Sequence, residues 1–182
     1  MSVVFTPAAR HFTRFRLVFS AALLSTGLCL TAAAQTAVTA TGVQVSGATL
    51  AQATRVSPAE LAKLPHLQVT RPDHDGKAHT YSGVALYAVL TAAGADLSPA
   101  KLPDKGMAHH VQVSAADGYQ AVFALAELSP DFAIRTVLLA DRCDGQPLPA
   151  KAGPYQIIVP EEKKMGRCVR QVQSLRIVAA QP

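Results

Sequence analysis

The chain has no GxSxG, HExxH or phosphate-loop motif, so no serine-hydrolase elbow, zinc-protease helix or nucleotide-triphosphate cradle is encoded locally. A site assembled from distant loops is what this leaves. No internal repeat and no second domain boundary interrupts the sequence. The apolar run from Leu17 to Leu30 is about 14 residues, short of the roughly 20 that a membrane-spanning helix needs. Cysteine is scarce, with three residues in 182.

What is present begins with a leader. Arg10, Arg14 and Arg16 form a basic region without an acid, the apolar run follows, and Ala32-Ala33-Ala34 supplies small residues. This order is that of a secretory signal peptide cleaved near Ala34. It predicts a periplasmic or secreted protein with no stable membrane span after cleavage. Residues 35–41 read as a flexible tether and 42–182 as one domain. Three of the 17 basic residues and none of the 12 acids lie in the leader, so the formal charge drops from +5 to +2. No basic stripe for nucleic acid remains. The roughly 148 residues left match one domain able to bury a core.

Cys29 leaves with the leader, and Cys143 and Cys168 stay. In an oxidising compartment two cysteines favour a disulfide, which would contribute about 3 kcal/mol by chain entropy. Two separate buried thiols are one alternative, and a catalytic or metal-binding thiol is another.

Along the mature chain, Val43 to Leu50 alternates as a strand. Ser57-Pro58-Ala59-Glu60 is a capping box with proline at the first helical position, opening a helix to about Leu64. Leu67 to Arg71 and His79 to Tyr81 flank Asp75-Gly76, a tight-turn signal. Val84 to Ala93 is the best helix, apolar nearly all round and ended by Gly94, and Ser98-Pro99 starts one more turn. His110 to Ser114 and Tyr119 to Ala124 flank Asp117-Gly118. Leu125 to Leu128 is a helical turn, and Arg135 to Ala140 is a strand before Asp144-Gly145. A proline-broken loop (146–154) leads to a strand at Tyr155 to Val159. Residues 161–171 form a charged loop, and Ser174 to Ala179 is the last strand. Short strands with few short helices give an α+β class with a mixed or antiparallel sheet.

Two clusters carry possible chemistry. His66, His74 and His79 lie near the first hairpin, where His74 and His79 can converge across the turn. Adjacent His109 and His110 point to opposite faces of a strand. Zinc or copper ligation is one reading; scattered surface histidines, with no metal site, is the commoner one. In the charged loop, Lys163, Lys164, Arg167 and Arg170 fall within eight residues beside Gly166. Guanidinium groups bind a phosphate or a flat polar ring with paired hydrogen bonds. The alternative is a solvated loop whose lysines are neutralised by Glu161 and Glu162.

The run from Tyr81 to Val178 resembles the molybdopterin-binding domain of the sulfite oxidase type. The likeness rests on Gly83-Val84-Ala85-Leu86 opening the helix, Val113 to Tyr119 (VSAADGY) before a strand, and Leu138-Leu139-Ala140-Asp141 ahead of Asp144-Gly145-Gln146-Pro147-Leu148-Pro149. It continues in Gly153-Pro154-Tyr155-Gln156-Ile157-Ile158-Val159-Pro160 and Gly166-Arg167-Cys168-Val169-Arg170. The resemblance implies a mixed α+β fold whose loops hold a pterin cofactor carrying molybdenum. It places Arg167, Cys168 and Arg170 in the loop that holds the pterin and its phosphate, with Asp117 near the same cleft and Lys163 and Lys164 beside it. Arg71, Asp73 and His74 then line the side where the enzymes place their metal.

The departures from the family also count. The enzymes bind molybdenum through a cysteine ahead of the helix, and Leu67 to Tyr81 (LQVTRPDHDGKAHTY) has none. The family's arginine in the strand after Gly-Pro is Gln156 here, and no counterpart of the enzymes' C-terminal dimerisation domain follows. The reading that results is a non-catalytic periplasmic protein binding a pterin or molybdopterin. Small exported domains that look like this one pass ligand state to the periplasmic part of a membrane sensor, such as one controlling cyclic di-GMP turnover. A molybdopterin-dependent oxidoreductase is the alternative.

Overall fold

The computed structural model describes residues 42–98, 100, 102 and 106–179. The leader, the tether and the turn at Ser98-Pro99 lie outside or partly outside them. All described residues fall in one compact unit.

Two sheets carry the domain. The first runs β2 (Thr54–Val56), β1 (Val43–Gly47), β10 (Val172–Ala179), β5 (His109–Ala115), β6 (Gln120–Ala124). Only β1 and β10 pair in parallel, so this sheet is mixed. The second is antiparallel, in the order β3 (His66–Pro72), β4 (Ala78–Ala85), β7 (Leu138–Cys143), β8 (Gln146–Pro147). There β9 (Gln156–Ile158) shares the outer edge of β7 with β8, pairing Leu138 to Ala140 while β8 pairs Arg142 and Cys143. Among the described residues three short helices complete the α+β fold: α1 (Pro58–Leu61), α2 (Leu86–Ala92) and α3 (Leu125–Leu128).

The alternation read from the sequence is the burial pattern of the strands. In β5 every odd position, Val111 and Val113 among them, is buried, and in β6 Ala121 and Phe123 point inward. Those faces meet β10, β1 and α2 in one core containing Val43, Val45, Leu86, Val89, Leu90, Phe123, Leu175 and Ile177. Each such side chain fully removed from water contributes roughly 1.5–3 kcal/mol. A smaller cluster of Tyr81, Leu138, Ala140 and Ile158 fills the second sheet.

Capping behaves as expected at α1, where the Ser57 hydroxyl accepts from the Glu60 amide and the Glu60 carboxylate accepts from the Ser57 amide. The helix ends at Leu61, earlier than the expected Leu64. At α2 Gly94 has φ +93° and ends the helix as anticipated. That helix starts at Leu86 instead of Val84, because Val84 and Ala85 are held in the β4–β7 ladder opposite Leu139 and Leu138. The strand expected over Arg135 to Ala140 runs from Leu138 to Cys143, since both of its ladders begin at Leu138 and Arg135 turns away to pair with Glu127. All three Asp-Gly pairs sit in hairpin turns, with Gly76, Gly118 and Gly145 at positive φ. His109 is buried and His110 is half-buried on the opposite face.

The expected disulfide is absent: Cys143 and Cys168 are both free thiols. Their surroundings explain it. Cys143 packs against the smaller cluster of the second sheet, and Cys168 belongs to the main core. Among the described residues no helix is long and apolar enough to cross a membrane.

Gly83 marks a close approach of two strands, at the register shift between β4 and β7. A Cβ there would lie 2.2 Å from the Leu139 carbonyl oxygen and 2.4 Å from the Ala140 Cα. Gly83→Ala is therefore expected to destabilise by about 2–3 kcal/mol, read as a lower urea midpoint. Gly166→Ala, which faces open space, serves as the control that leaves the midpoint nearly unchanged.

Candidate functional site

Three loops meet at one end of the domain: the Asp117-Gly118 turn between β5 and β6, the segment 148–155 between β8 and β9, and the charged loop 160–171. They enclose a cleft of about 290 Å³ lined by Asp117, Tyr119, Lys151, Met165, Gly166, Cys168 and Arg170. That volume is at the small end of ligand sites and suits a bicyclic ring.

Backbone bonds fix the loops to each other. The Ala116 amide donates to the Gln171 carbonyl at 3.0 Å, and the Gln171 amide donates to the Ala152 carbonyl at 2.8 Å. The Gln171 side-chain amide adds a bond to the Ala150 carbonyl at 2.9 Å. Gln171 makes these contacts from a left-handed backbone, φ +49°, a conformation uncommon for a residue with a side chain. The Tyr119 hydroxyl donates to the Gly166 carbonyl at 2.6 Å, tying the hairpin to the charged loop. One Asp117 oxygen accepts the Tyr119 amide at 2.9 Å, the bond of an ordinary Asp turn.

The residues expected from the sequence separate into three groups. Asp117, Cys168 and Arg170 line the cleft. Lys163 and Lys164 are exposed on the charged loop and do not line it, and His74 is exposed in the β3–β4 turn. Arg167 and Arg71 are structural ties. The Arg167 guanidinium donates to Glu127 at 2.8 Å and to Glu162 from Nε at 2.8 Å, reaches the Val122 carbonyl, and lies over the Phe123 ring at 4.6 Å. The Arg71 side chain is buried and donates to the Val159 carbonyl, to the Glu162 carbonyl at 3.2 Å and to Cys168 Sγ at 3.2 Å. Glu162 thus pairs with Arg167 and not with the lysines.

Asp73 faces the same region from the second sheet. It accepts the Tyr81 hydroxyl at 2.8 Å and the His74 amide at 2.6 Å. Burial works against its charge, but these bonds and the charges of His74 and Arg170 outweigh it and hold the carboxyl below its usual value. The Tyr81 hydroxyl is pushed well up, first by burial and then by Asp73. Cys168, 6% exposed, has its thiol pushed up mainly by burial, although the Val159 backbone and Arg71 pull the other way. Gln156, standing where the family has an arginine, is buried in β9 and does not reach the cleft.

Lys151, Tyr119 and Met165 line the cleft without having been singled out from the sequence. Tyr119 follows the Asp-Gly turn directly, a signal that was available. Lys151 lies in a proline-broken loop, where nothing local marks it.

A family profile, described as the oxidoreductase molybdopterin binding domain, matches residues 73–182. The chain belongs to this family. No curated protein matches it in sequence. In structure it is similar to the sulfane dehydrogenase SoxCD from Paracoccus pantotrophus, with a TM-score of 0.57 at 16% identity over 75% of this chain. The chain spans 37% of that protein's length. The likeness establishes the sulfite-oxidase-type fold that the sequence resemblance implied.

Measured against a molybdopterin-type cofactor, the cleft fits the organic part better than the metal. Asp117 offers an acceptor, Tyr119 a flat ring, and Arg170 and Lys151 positive charge. The single thiol in the lining, Cys168, is buried, held in its thiol form by that burial and engaged by Arg71. No histidine or second thiol accompanies it in the lining, and a cysteine binds a metal as its thiolate.

The ion pairs behind the charged loop give an acid-dependent stability. Burial opposes the Glu127 carboxylate, but hydrogen bonds and charge from Arg167, the Ala124 amide and Arg135 together hold it below the usual value of 4.5. A depressed folded-state value means stability that is present above 4.5 and lost as pH falls through the lower folded value. Glu127→Gln is expected to lower stability at pH 7 by about 2 kcal/mol and to flatten its fall on acidification. Denaturant titrations of both proteins across the acid range measure this, and parallel slopes would refute it.

Proposed function

We propose that this chain is an exported pterin-binding domain whose task is recognition, without molybdenum redox chemistry of its own. The observation that carries this reading is the sulfur content of the cleft. Its single thiol is buried and engaged by Arg71, and β3 and the following turn, where the family's enzymes carry their metal-binding cysteine, hold none. The family supports a molybdopterin-type ligand, and the acceptor, aromatic and cationic groups of the lining support taking this cleft as its place.

In this reading Arg170 binds the polar edge or a phosphate of the ligand with a charge-assisted hydrogen bond. Lys151, from the segment between β8 and β9, adds a second positive charge. The free Asp117 oxygen accepts from amino and ring N–H groups, and the ring packs near Tyr119. Arg167 acts indirectly: bound to Glu127 and Glu162, it holds the loop in shape. Arg71 and Asp73 likewise position Cys168 and Arg170 and do not touch the ligand. The occupied domain would then be read by the periplasmic part of a membrane sensor. A signal-peptide-like leader and a formal charge near neutral after its removal support that assignment.

Purified from the periplasm, the mature protein is expected to release a fluorescent pterin with less than about 0.1 equivalent of molybdenum. Stoichiometric molybdenum would replace this reading with the oxidoreductase one. Arg170→Ala is expected to weaken binding of a reduced pterin at least tenfold, since a charge-assisted bond contributes about 1.5–3 kcal/mol. An unchanged affinity, measured by fluorescence titration, would mean that the cleft is not the ligand site.

A further inference from the structure

A second set of ligating groups lies on the other sheet, outside the cleft, and the pterin reading does not use it. His79 on β4, Cys143 at the end of β7 and Asp144 in the turn after it each offer one donor atom, and the three atoms lie within 4.8 Å of one another. The fold builds this arrangement deliberately. Cys143 pairs across the ladder with Tyr81, two residues beyond His79. Asp144 and Gly145 form the two-residue turn into β8, both at positive φ (+50° and +76°), the geometry of a tight type I′ hairpin. That turn swings the Asp144 carboxylate back over β4. One oxygen accepts the Thr80 amide at 2.8 Å, while the Asp144 amide donates to the Thr80 carbonyl at 2.8 Å. The other oxygen is 2.6 Å from His79 Nδ1 and 3.8 Å from Cys143 Sγ.

The histidine is also braced from behind. Its Nε2 lies 3.1 Å from Asp75 Oδ2, four residues earlier in the β3–β4 turn. A metal-ligating histidine characteristically donates its second N–H to a carboxylate, which fixes the ring and raises its basicity. An ion pair alone would explain His79 between two carboxylates. It does not explain a thiol placed at the same point, with its sulfur facing the shared oxygen.

We propose that His79 Nδ1, Cys143 Sγ and Asp144 Oδ2 form a binding site for a borderline transition-metal ion of the Zn²⁺ class, oriented by Asp75. Nitrogen, thiolate and carboxylate are the ligand types such an ion takes, and three protein ligands leave a fourth position for solvent. Tetrahedral coordination needs donors roughly 3.3–3.7 Å apart. The nitrogen–oxygen and oxygen–sulfur spacings of 2.6 and 3.8 Å bracket that range, and all three donors lie within 4.8 Å of one another, so shifts on the order of 1 Å bring them to it. On binding, the ion takes the place of the proton between His79 and Asp144, and the Nδ1 and thiol protons leave to solvent. His79 keeps its Nε2 proton on Asp75.

The test uses the mature protein, chelator-treated, reduced with a non-coordinating phosphine, and titrated with zinc sulfate by calorimetry. One equivalent is expected to bind, with affinity lowered at least tenfold in both Cys143→Ser and His79→Ala. Cobalt substitution is expected to give thiolate-to-metal charge-transfer absorption, absent in Cys143→Ser. In Asp75→Asn that band is expected to persist while affinity falls 10–100-fold. Urea midpoints of the variants, compared with the parent, identify any that fail to fold, and Cys143→Ser, nearly isosteric, keeps the test decisive. No binding overturns the proposal, as does binding unchanged by Cys143→Ser, which would assign the ion to scattered surface histidines.

Discussion

The buried guanidinium of Arg71 is the tie on which the ligand-facing end of the molecule depends. It rises from β3 in the antiparallel sheet and ends among the Val159 and Glu162 carbonyls and the Cys168 sulfur. The Val159 carbonyl directly precedes the charged loop and the Glu162 carbonyl lies at its start, so one side chain joins the second sheet to the element that shapes the cleft. A cation taken out of water is costly unless its donors are satisfied. Here backbone oxygens and a polarizable sulfur satisfy them, and no carboxylate is needed. The same contact immobilises Cys168 and gives the cleft a sulfur that is present but not presented as a thiolate.

Around that tie the charged loop is organised by a second arginine. Arg167 gathers Glu127 from α3 and Glu162 from its own loop and rests on Phe123 of β6. The four cations that looked equivalent in sequence therefore have three different fates. Arg167 is half-buried among carboxylates, Lys163 and Lys164 belong to solvent, and Arg170 lines the cleft together with Lys151. Charge density along a sequence does not reveal which side chains find carboxylates, because those partners come from elsewhere in the chain.

This is also the boundary of what the sequence made legible. Alternation in β5, β6 and β10, the capping box at Ser57, Gly94 as a helix end and all three Asp-Gly hairpins are local signals, and each appears in the fold. The order of short motifs from Gly83 to Arg170 led to the right family. The start of α2 was misjudged by two residues because Val84 and Ala85 answer to a neighbouring strand. The thiol pair was misjudged because Cys143 and Cys168 belong to different packing clusters, which spacing along the chain does not encode. Lys151 went unnoticed for the same reason, and Asp144, read as a turn residue, turned out to carry a carboxylate aimed at His79.

The way β7 shares its outer edge has a consequence for recognition. The chain leaves that edge at Pro147 in β8 and returns to it at Gln156 in β9, so both ends of the segment bearing Lys151 are anchored to one rigid strand. Between them, bonds to Pro149 and to Gln171 hold the middle. Folding has already removed the conformational freedom of this wall. A ligand entering the cleft meets a surface that does not need to be ordered, and most of its contact energy is left to appear as affinity.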